Sequence, residues 1–225
     1  LAIITCGAVV IPIDRELKKN ELVNILDKAG AGAVFYTDEQ ADKLRDYGKD
    51  LIRVSMRFYT DRTDEGLSMR EYLESPLYTS VKRPKDCDAT WKELVAEGEE
   101  LLAEGDSAYD RTETDPETMC SLLFTSGTTG TPKGVMLCQR NIVSNIMDTC
   151  RIAHILPEDK TLSILPIHHT YECTYGMLLV LYRGASTAFC EGLHYIAKNM
   201  NECHNSVFIA VPMLLEMIHS RIWKQ

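Results

Sequence analysis

The stretch "MCSLLFTSGTTGTPKG", residues 119–134, joins an apolar run to a segment dense in glycine and hydroxyl residues. The apolar run Met119–Thr125 predicts a buried β-strand. The segment after it holds too much Gly, Thr and Pro for a helix or a long strand, so it predicts a loop. A loop that leaves the end of a strand is a common position for a ligand in an α/β sheet.

The composition of this loop favours a phosphate group as its ligand. Its glycines allow backbone N–H groups to converge on an anion. Lys133 supplies a positive charge, Pro132 stiffens the turn before it, and hydroxyl groups come from Ser126, Thr128, Thr129 and Thr131. A surface turn without a ligand would explain the glycines, but it would not explain four hydroxyls and a lysine together.

Two common phosphate-loop patterns do not fit the spacing. A Walker loop requires Gly five residues after Gly127 and Ser or Thr after the lysine, whereas Pro132 and Gly134 stand there. The dinucleotide fingerprint needs a further glycine before Gly127, where Thr125 lies. The residue types therefore indicate phosphate, while the spacing excludes both of these loop classes.

The residues before the loop predict a βαβ unit. Gly7–Pro12 reads as a strand, and Asp14 is a candidate N-cap for an amphipathic helix that stops at Gly30. Ala33–Thr37 then reads as the next strand. Residues 53–117 are less regular, with a short helix expected after Ser68 and a longer one capped by Thr90.

The residues after the loop alternate between helical and strand patterns. We expect helices over 139–155, 174–182, 194–203 and 212–222, and strands over 161–167, 184–190 and 206–211. This alternation predicts the α/β class, with mostly parallel sheets flanked by helices.

Composition limits the function classes. The chain has 225 residues and a net charge of -9, and residues 86–117 alone hold 12 acidic and 2 basic residues, which indicates a solvated helix and connector. No basic cluster suggests nucleic-acid binding, and no run of 18 apolar residues suggests a membrane span. The eight cysteines form no CxxC pair, so we expect buried free thiols and no metal site.

Beyond these patterns, "FTSGTTGTPKG" resembles the phosphate-binding signature of the adenylate-forming superfamily, which includes acyl-CoA synthetases, luciferases, aryl-CoA ligases and adenylation domains of nonribosomal peptide synthesis. The segments "GAVVIPID", "LPIHHTYE" and "AVPMLLEMI" are similar to other segments of the same superfamily. The resemblance is weakest over residues 53–117. The residues of the last two segments are most similar to those of bacterial long-chain fatty acid–CoA ligases.

The resemblance implies a two-step reaction that uses ATP, Mg²⁺ and CoA. A carboxylate, here a fatty acid, attacks the α-phosphorus of ATP, and a thiol then displaces AMP from the acyl-AMP. By similarity, the ATP phosphates contact Thr125, Ser126, Gly127, Thr128, Thr129, Gly130 and Lys133. No catalytic residue within the chain is assigned.

The same resemblance assigns the acyl group to His169 and Tyr171. An imidazole can orient a carboxylate by a hydrogen bond, and a tyrosine face can wall an apolar tunnel. His168 next to them reads as an ordinary core or surface histidine. A metal site at the two histidines is not expected, because no further Cys, His or Asp cluster accompanies them.

The resemblance also implies the domain organisation. Residues 1–225 would form one partial domain, the central part of a large N-terminal AMP-binding domain, with the C-terminal domain absent and the chain inactive by itself. The alternatives are an aryl-CoA ligase, an acyl-carrier-protein ligase, an amino-acid adenylation domain or a non-catalytic nucleotide-binding module. We expect a cytoplasmic protein, able to contact a membrane surface and to form a homodimer.

Overall fold

The described residues divide into two units. The computed structural model describes residues 1–48, 50–56, 86–125 and 132–223. The smaller unit comprises Arg15–Thr112, and the larger unit combines Leu1–Asp14 with Glu113–Gln225. The helix expected after Ser68 lies outside the described residues. The expectation that residues 1–225 form one partial domain stays a prediction.

The smaller unit is built on a parallel three-stranded sheet. Its strands are β1 (Ala33–Tyr36), β2 (Ile52–Ser55) and β3 (Ala89–Thr90), in that order across the sheet. In register, Ala33 faces Ile52 and Val54 faces Ala89. The buried apolar side chains of this unit come from helices, strands and the connection before β2: Leu22, Ile25, Leu26, Tyr36, Leu44, Tyr47, Leu51 and Val54.

Three helices accompany this sheet: α2 (Lys19–Ala29), α3 (Asp38–Leu44) and α4 (Trp91–Ala103). The expected stop at Gly30 is confirmed, because Gly30 takes a left-handed conformation with φ 60°. The expected cap at Asp14 is wrong. The helix begins at Lys19, where the Glu21 carboxylate accepts a hydrogen bond from the Lys18 backbone N–H.

Helix α4 begins as the sequence predicts. The Thr90 hydroxyl accepts a hydrogen bond from the Glu93 backbone N–H, and the Glu93 carboxylate accepts one from the Thr90 N–H. This reciprocal pair satisfies two backbone donors that the helix leaves unpaired. No side chain of α4 is buried, which agrees with the solvated helix expected from its acidic composition.

The larger unit contains two two-stranded sheets. In the first, β4 (Met119–Thr125) pairs with β5 (Lys133–Cys138) as an antiparallel hairpin. In the second, β6 (Lys160–Ser163) pairs in parallel with β7 (Ser186–Phe189). The expected strand Met119–Thr125 is confirmed. Strand β5 was not predicted, because the glycine and proline before it read as a continuing loop.

The remaining elements of the larger unit are helical. They are α1 (Ala2–Thr5), α5 (Gln139–Cys150), a π-helix (Glu172–Leu178), α6 (Leu179–Tyr182), a 3₁₀ turn (Leu193–Tyr195), α7 (Ile196–Cys203) and α8 (Pro212–Trp223). A core cluster forms where α5, α6 and the segment before β7 meet, from Ile146, Ile155, Leu179, Val180 and Ala185. Helix α8 starts at Pro212, as predicted.

Two expected strands are reduced to single bridges. In the range Gly7–Pro12, only Val10 pairs, in parallel with Ser121 of β4. In the range 206–211, only Val207 pairs, in parallel with Thr161 of β6. Their apolar residues suit a strand, but one pairing contact does not continue a ladder. Helix α5 also ends earlier than expected, at Cys150 rather than Ile155.

The predicted α/β class is confirmed, with parallel pairs in both units and one antiparallel hairpin. No helix among the described ranges is long and apolar enough to cross a bilayer. None of the eight cysteines forms a disulfide, but only Cys120 is buried, so the expectation of buried thiols holds for that residue alone. Burial raises the pKa of the Cys120 thiol.

A carboxyl group is buried beneath the π-helix. Glu172 is 1% exposed, and neither oxygen of its carboxylate forms a hydrogen bond within the described part of the chain. The group packs against Gly176, where an added Cβ would lie 2.6 Å from Glu172 Cδ. Burial raises the pKa of Glu172; the Ser163 hydroxyl opposes this shift, but it makes no hydrogen bond of ordinary geometry with the carboxylate.

This burial predicts a pH-dependent stability. The unfolded chain releases the Glu172 proton near the ordinary value of 4.5, whereas the folded chain holds the proton to higher pH. Above that value, the free energy of unfolding should therefore fall with rising pH until the folded pKa is passed, by up to about 1.4 kcal/mol per pH unit. Urea unfolding at pH values from about 4 to 7 measures this slope.

Glu172→Gln should remove this contribution, because glutamine does not titrate. Glu158→Gln is the matched control, since Glu158 is exposed in the same unit and the substitution is identical. Its slope should equal that of the unsubstituted protein. Equal slopes for both variants would contradict the assignment of a buried, protonated carboxyl group to Glu172.

Candidate functional site

The hairpin β4–β5 brings the two ends of the glycine-rich loop together. Thr125 and Lys133 face each other in the register, and the Thr125 hydroxyl lies 3.5 Å from the Lys133 carbonyl oxygen, to which it donates. Both residues are exposed. The loop therefore starts and ends at the same pair of residues, which carry a hydroxyl group (Thr125) and an ammonium group (Lys133).

A β-bulge sets this register. Met119 faces Cys138, but Ser121 already faces Leu137, so Cys120 is the extra residue on β4. Without the bulge, each later residue of β4 would meet the residue before its present partner, and Thr125 would face Pro132 instead of Lys133. The position of Lys133 opposite Thr125 thus depends on an irregularity at Cys120, five residues before Thr125.

The last glycine of the loop motif has a packing role. A Cβ on Gly134 would lie 3.0 Å from Leu122 Cδ1 and 3.6 Å from Phe124 Cε1. A side chain here would press against these two residues of β4. The motif glycine thus leaves room for the Leu122 and Phe124 side chains, a role that the residue pattern alone did not indicate.

Five of the predicted phosphate-binding residues lie outside the described residues. They are Ser126, Gly127, Thr128, Thr129 and Gly130. The described part of the predicted phosphate site consists of Thr125 and Lys133. Their assignment to the ATP phosphates stays a prediction, as does that of the loop residues between them.

The predicted acyl-binding residues lie at the start of the π-helix. The His169 backbone N–H donates to the Pro166 carbonyl, and the His169 carbonyl accepts from the Cys173 N–H, so the helical turn begins at His169. The His169 and Tyr171 side chains are exposed. The ring of Tyr171 meets that of Tyr175 edge-on, with centroids 5.2 Å apart.

A cavity of about 310 Å³ lies between β5, α5 and the π-helix. It is lined by Leu137, Asn141, Ile142, Asn145, Thr170, Tyr171, Thr174 and Tyr175. None of these side chains is charged; four are aromatic or aliphatic, and four carry amide or hydroxyl groups. Tyr171 is therefore the predicted acyl-binding residue that lines a cavity, whereas His169 is not among the lining residues.

One strand connects the two parts of the candidate site. Lys133 opens β5, and Leu137 on the same strand lines the cavity. Four residues of extended chain span about 13 Å. The loop base and the cavity thus lie at the two ends of one short strand, a separation that a single extended ligand can bridge.

His168 contacts His169 and Asp14, and the sequence around His168 did not predict the contact with Asp14. Its ring packs against that of His169, with centroids 4.4 Å apart. Its Nε2 atom lies 3.7 Å from Oδ2 of Asp14. Asp14 is 154 positions away in the sequence, so no local pattern could have joined the two residues.

The described residues fit a polyphosphate better than they fit a metal. Lys133 and Thr125 supply a positive charge and a hydroxyl group, which suit phosphate oxygens. Among residues 1–48, 50–56, 86–125 and 132–223, no group of three or more His, Cys, Asp or Glu side chains could hold a metal ion.

Relatives of the chain include fatty acid–CoA ligases. The chain is 28% identical over 183 residues to human long-chain-fatty-acid–CoA ligase 1, covering 74% of this chain and 26% of the relative. It is 27% identical over 215 residues to rat long-chain-fatty-acid–CoA ligase 5, covering 89% and 30%. The chain thus spans less than a third of the length of these relatives.

A solved structure shares the fold of this chain, and a family model matches its sequence. The crystal structure of VinN superposes with a TM-score of 0.67 at 22% identity, covering 95% of this chain and 46% of VinN. The family model described as "AMP-binding enzyme" matches residues 1–223. Since that match takes in almost every residue, the chain belongs to the AMP-binding enzyme family.

Proposed function

We propose that the chain carries part of the active site of an AMP-forming ligase that activates a long-chain fatty acid. In the first step, a carboxylate oxygen attacks the α-phosphorus of ATP and pyrophosphate leaves. In the second step, the thiol of CoA attacks the acyl carbon and AMP leaves. The family match and the ligase relatives support this reaction class.

The pairing of Thr125 with Lys133 is the observation that carries the proposal. It fixes a lysine and a hydroxyl group at the base of the glycine-rich loop. Negative charge develops on the leaving pyrophosphate during the first step, and a fixed cation nearby stabilises it. The strand holds the Lys133 backbone at this point, so its side chain starts from the base of the loop.

The cavity beside β5 is the proposed acyl site. Tyr171 and Tyr175 form an aromatic wall, and Leu137 and Ile142 add aliphatic surface. His169 precedes this wall by two residues and is proposed to orient the substrate carboxylate by a hydrogen bond. The acid would then lie with its carboxylate toward His169 and its chain along the tyrosines.

The acceptor, the metal ion and self-association are further parts of this proposal. CoA is the acceptor by analogy with the ligase relatives, and Mg²⁺ would neutralise phosphate charge when it accompanies ATP. Contact with a membrane surface and a homodimer stay predictions. Sedimentation of the purified protein, with and without lipid vesicles, measures both.

Lys133→Ala in the complete gene product should lower fatty-acid-dependent ATP–pyrophosphate exchange. Loss of a charged hydrogen-bond donor to phosphate costs about 1.5 to 3 kcal/mol, which is roughly a ten- to hundredfold loss. The exchange rate, measured over a range of ATP concentrations, gives the effect.

Lys160→Ala is the control for this substitution, since Lys160 is an exposed lysine on β6 of the same unit. Its exchange rate should match that of the unsubstituted protein. Lys133→Arg should retain part of the rate, because it keeps the charge. An unchanged rate in Lys133→Ala would sink the role given to Lys133.

Tyr171→Ala should raise the KM for the fatty acid and leave the KM for ATP unchanged. The substitution removes an aromatic wall of the proposed acyl site, and a partly buried ring contributes about 1.5 kcal/mol, or roughly tenfold. The effect should grow with acyl chain length in a panel of acids. Aryl acids and amino acids in the same panel test the alternative substrate classes.

Tyr182→Ala is the matched control for Tyr171→Ala. Tyr182 is an exposed tyrosine on α6 of the same unit, and it does not line the cavity. Both KM values should stay unchanged in this variant. A rise in the KM for ATP in Tyr171→Ala, equal to the rise for the acid, would count against the acyl assignment of the cavity.

A further inference from the structure

We propose that Asp14 and His168 are positioning residues that fix the ring orientation of His169. The substrate role of His169 rests on the proposed function, whereas the positioning itself rests on contacts within the larger unit. Neither Asp14 nor His168 was assigned a role by the loop motif or by the pattern around His169.

The backbone brings Asp14 to the edge of the sheet where the glycine-rich loop begins. The Val10 N–H donates to the Cys120 carbonyl, and the Val10 carbonyl accepts from the Leu122 N–H, so this segment runs parallel to β4. Asp14 lies four residues beyond the bridge at Val10, just as Thr125 lies four residues beyond its partner Ser121. Both segments therefore end toward the same side, where ligands collect in α/β sheets.

The second segment arrives from β6. This strand ends at Ser163, and the chain continues through Pro166 to His168. The His168 Nε2 atom lies 3.7 Å from the Asp14 carboxylate, and the two side chains are 21% and 38% exposed. When His168 is protonated, its attraction to the Asp14 carboxylate is stronger here than at an open surface, because solvent screens a partly buried pair less.

The ring of His168 contacts the ring of His169, so a restriction on His168 also restricts His169. The rings of His168 and His169 lie 4.4 Å apart with 41° between their planes. The His169 side chain is exposed, and no hydrogen bond to its ring is found within the described ranges. In this proposal, the adjacent His168 ring restricts the orientations of His169, and Asp14 restricts those of His168.

A fixed orientation matters because the proposed hydrogen bond to the substrate is directional. A misplacement of about 1 Å at a substrate-positioning group can reduce a rate about a hundredfold. Asp14 and His168 need no contact with the substrate to act in this way. Their effect should appear in parameters for the acid and be absent from the KM for ATP.

The first arm of the test measures the ring of His169 directly. In protein labelled with ¹³C at histidine, the His169 Cε1–Hε1 signal should shift in His168→Ala, because the stacked ring is lost, and broaden in Asp14→Asn. Two controls carry matched substitutions elsewhere in the unit: His194→Ala in the 3₁₀ turn and Asp148→Asn at the exposed end of α5. An unchanged His169 signal in His168→Ala and Asp14→Asn would overturn the proposal.

The second arm measures fatty-acid-dependent ATP–pyrophosphate exchange in the complete gene product. His168→Ala should lower kcat/KM for the acid about ten- to hundredfold and leave the KM for ATP unchanged. His168→Phe keeps a ring against His169 and should restore most of this loss. Equal changes for acid and ATP, with no rescue by phenylalanine, would indicate a merely structural role and overturn the proposal.

The two arms separate this inference from the proposed function. A change in the His169 signal, with no exchange from any acid in the panel, would support the positioning and overturn the proposed function. Exchange that is present and insensitive to His168→Ala, with an unchanged His169 signal, would leave the proposed function standing and overturn the positioning.

Discussion

The hydrogen bonds along both edges of β4 hold the candidate site together. On one edge, the Val10 backbone accepts one hydrogen bond and donates another in a parallel bridge. Asp14 lies four residues after this bridge. On the other edge, β5 pairs antiparallel, and the extra residue Cys120 determines which residue faces Thr125. Cys120 takes part in the pairing on both edges, because it is the bulge residue opposite β5 and its carbonyl accepts the hydrogen bond from the Val10 N–H. A change in the pairing of this strand would displace the lysine and the aspartate together.

The features that the sequence predicted correctly are those decided by neighbouring residues. The strand Met119–Thr125 follows from an unbroken apolar run, and helix α4 follows from a threonine three residues before a glutamate. The stop of α2 at Gly30 follows from a conformation that glycine adopts at little cost. In each of these cases, the deciding contacts lie within a few positions of one another, so the pattern of residues was sufficient.

The features that were missed depend on partners distant in sequence or on hydrogen-bond register. Strand β5 exists because β4 lies beside it, and its own glycine and proline neighbours indicated a loop. The apolar pattern of residues 174–182 predicted a helix, but it could not distinguish π from α hydrogen bonding. For the site, the motif selected Lys133 and Tyr171, whereas the contact of Asp14 with His168 joins two segments that are 154 positions apart in the sequence.

The packing of Glu172 against Gly176 restricts the order in which this part of the chain can change during evolution. Any side chain at position 176 would overlap the Glu172 carboxyl group, so that glycine is held in place by its neighbour one helical turn earlier. Position 176 could accept alanine only after the Glu172 carboxyl group had moved aside or a shorter residue had replaced it. Homologous sequences should therefore show the two positions varying together, with glycine retained wherever the glutamate is present.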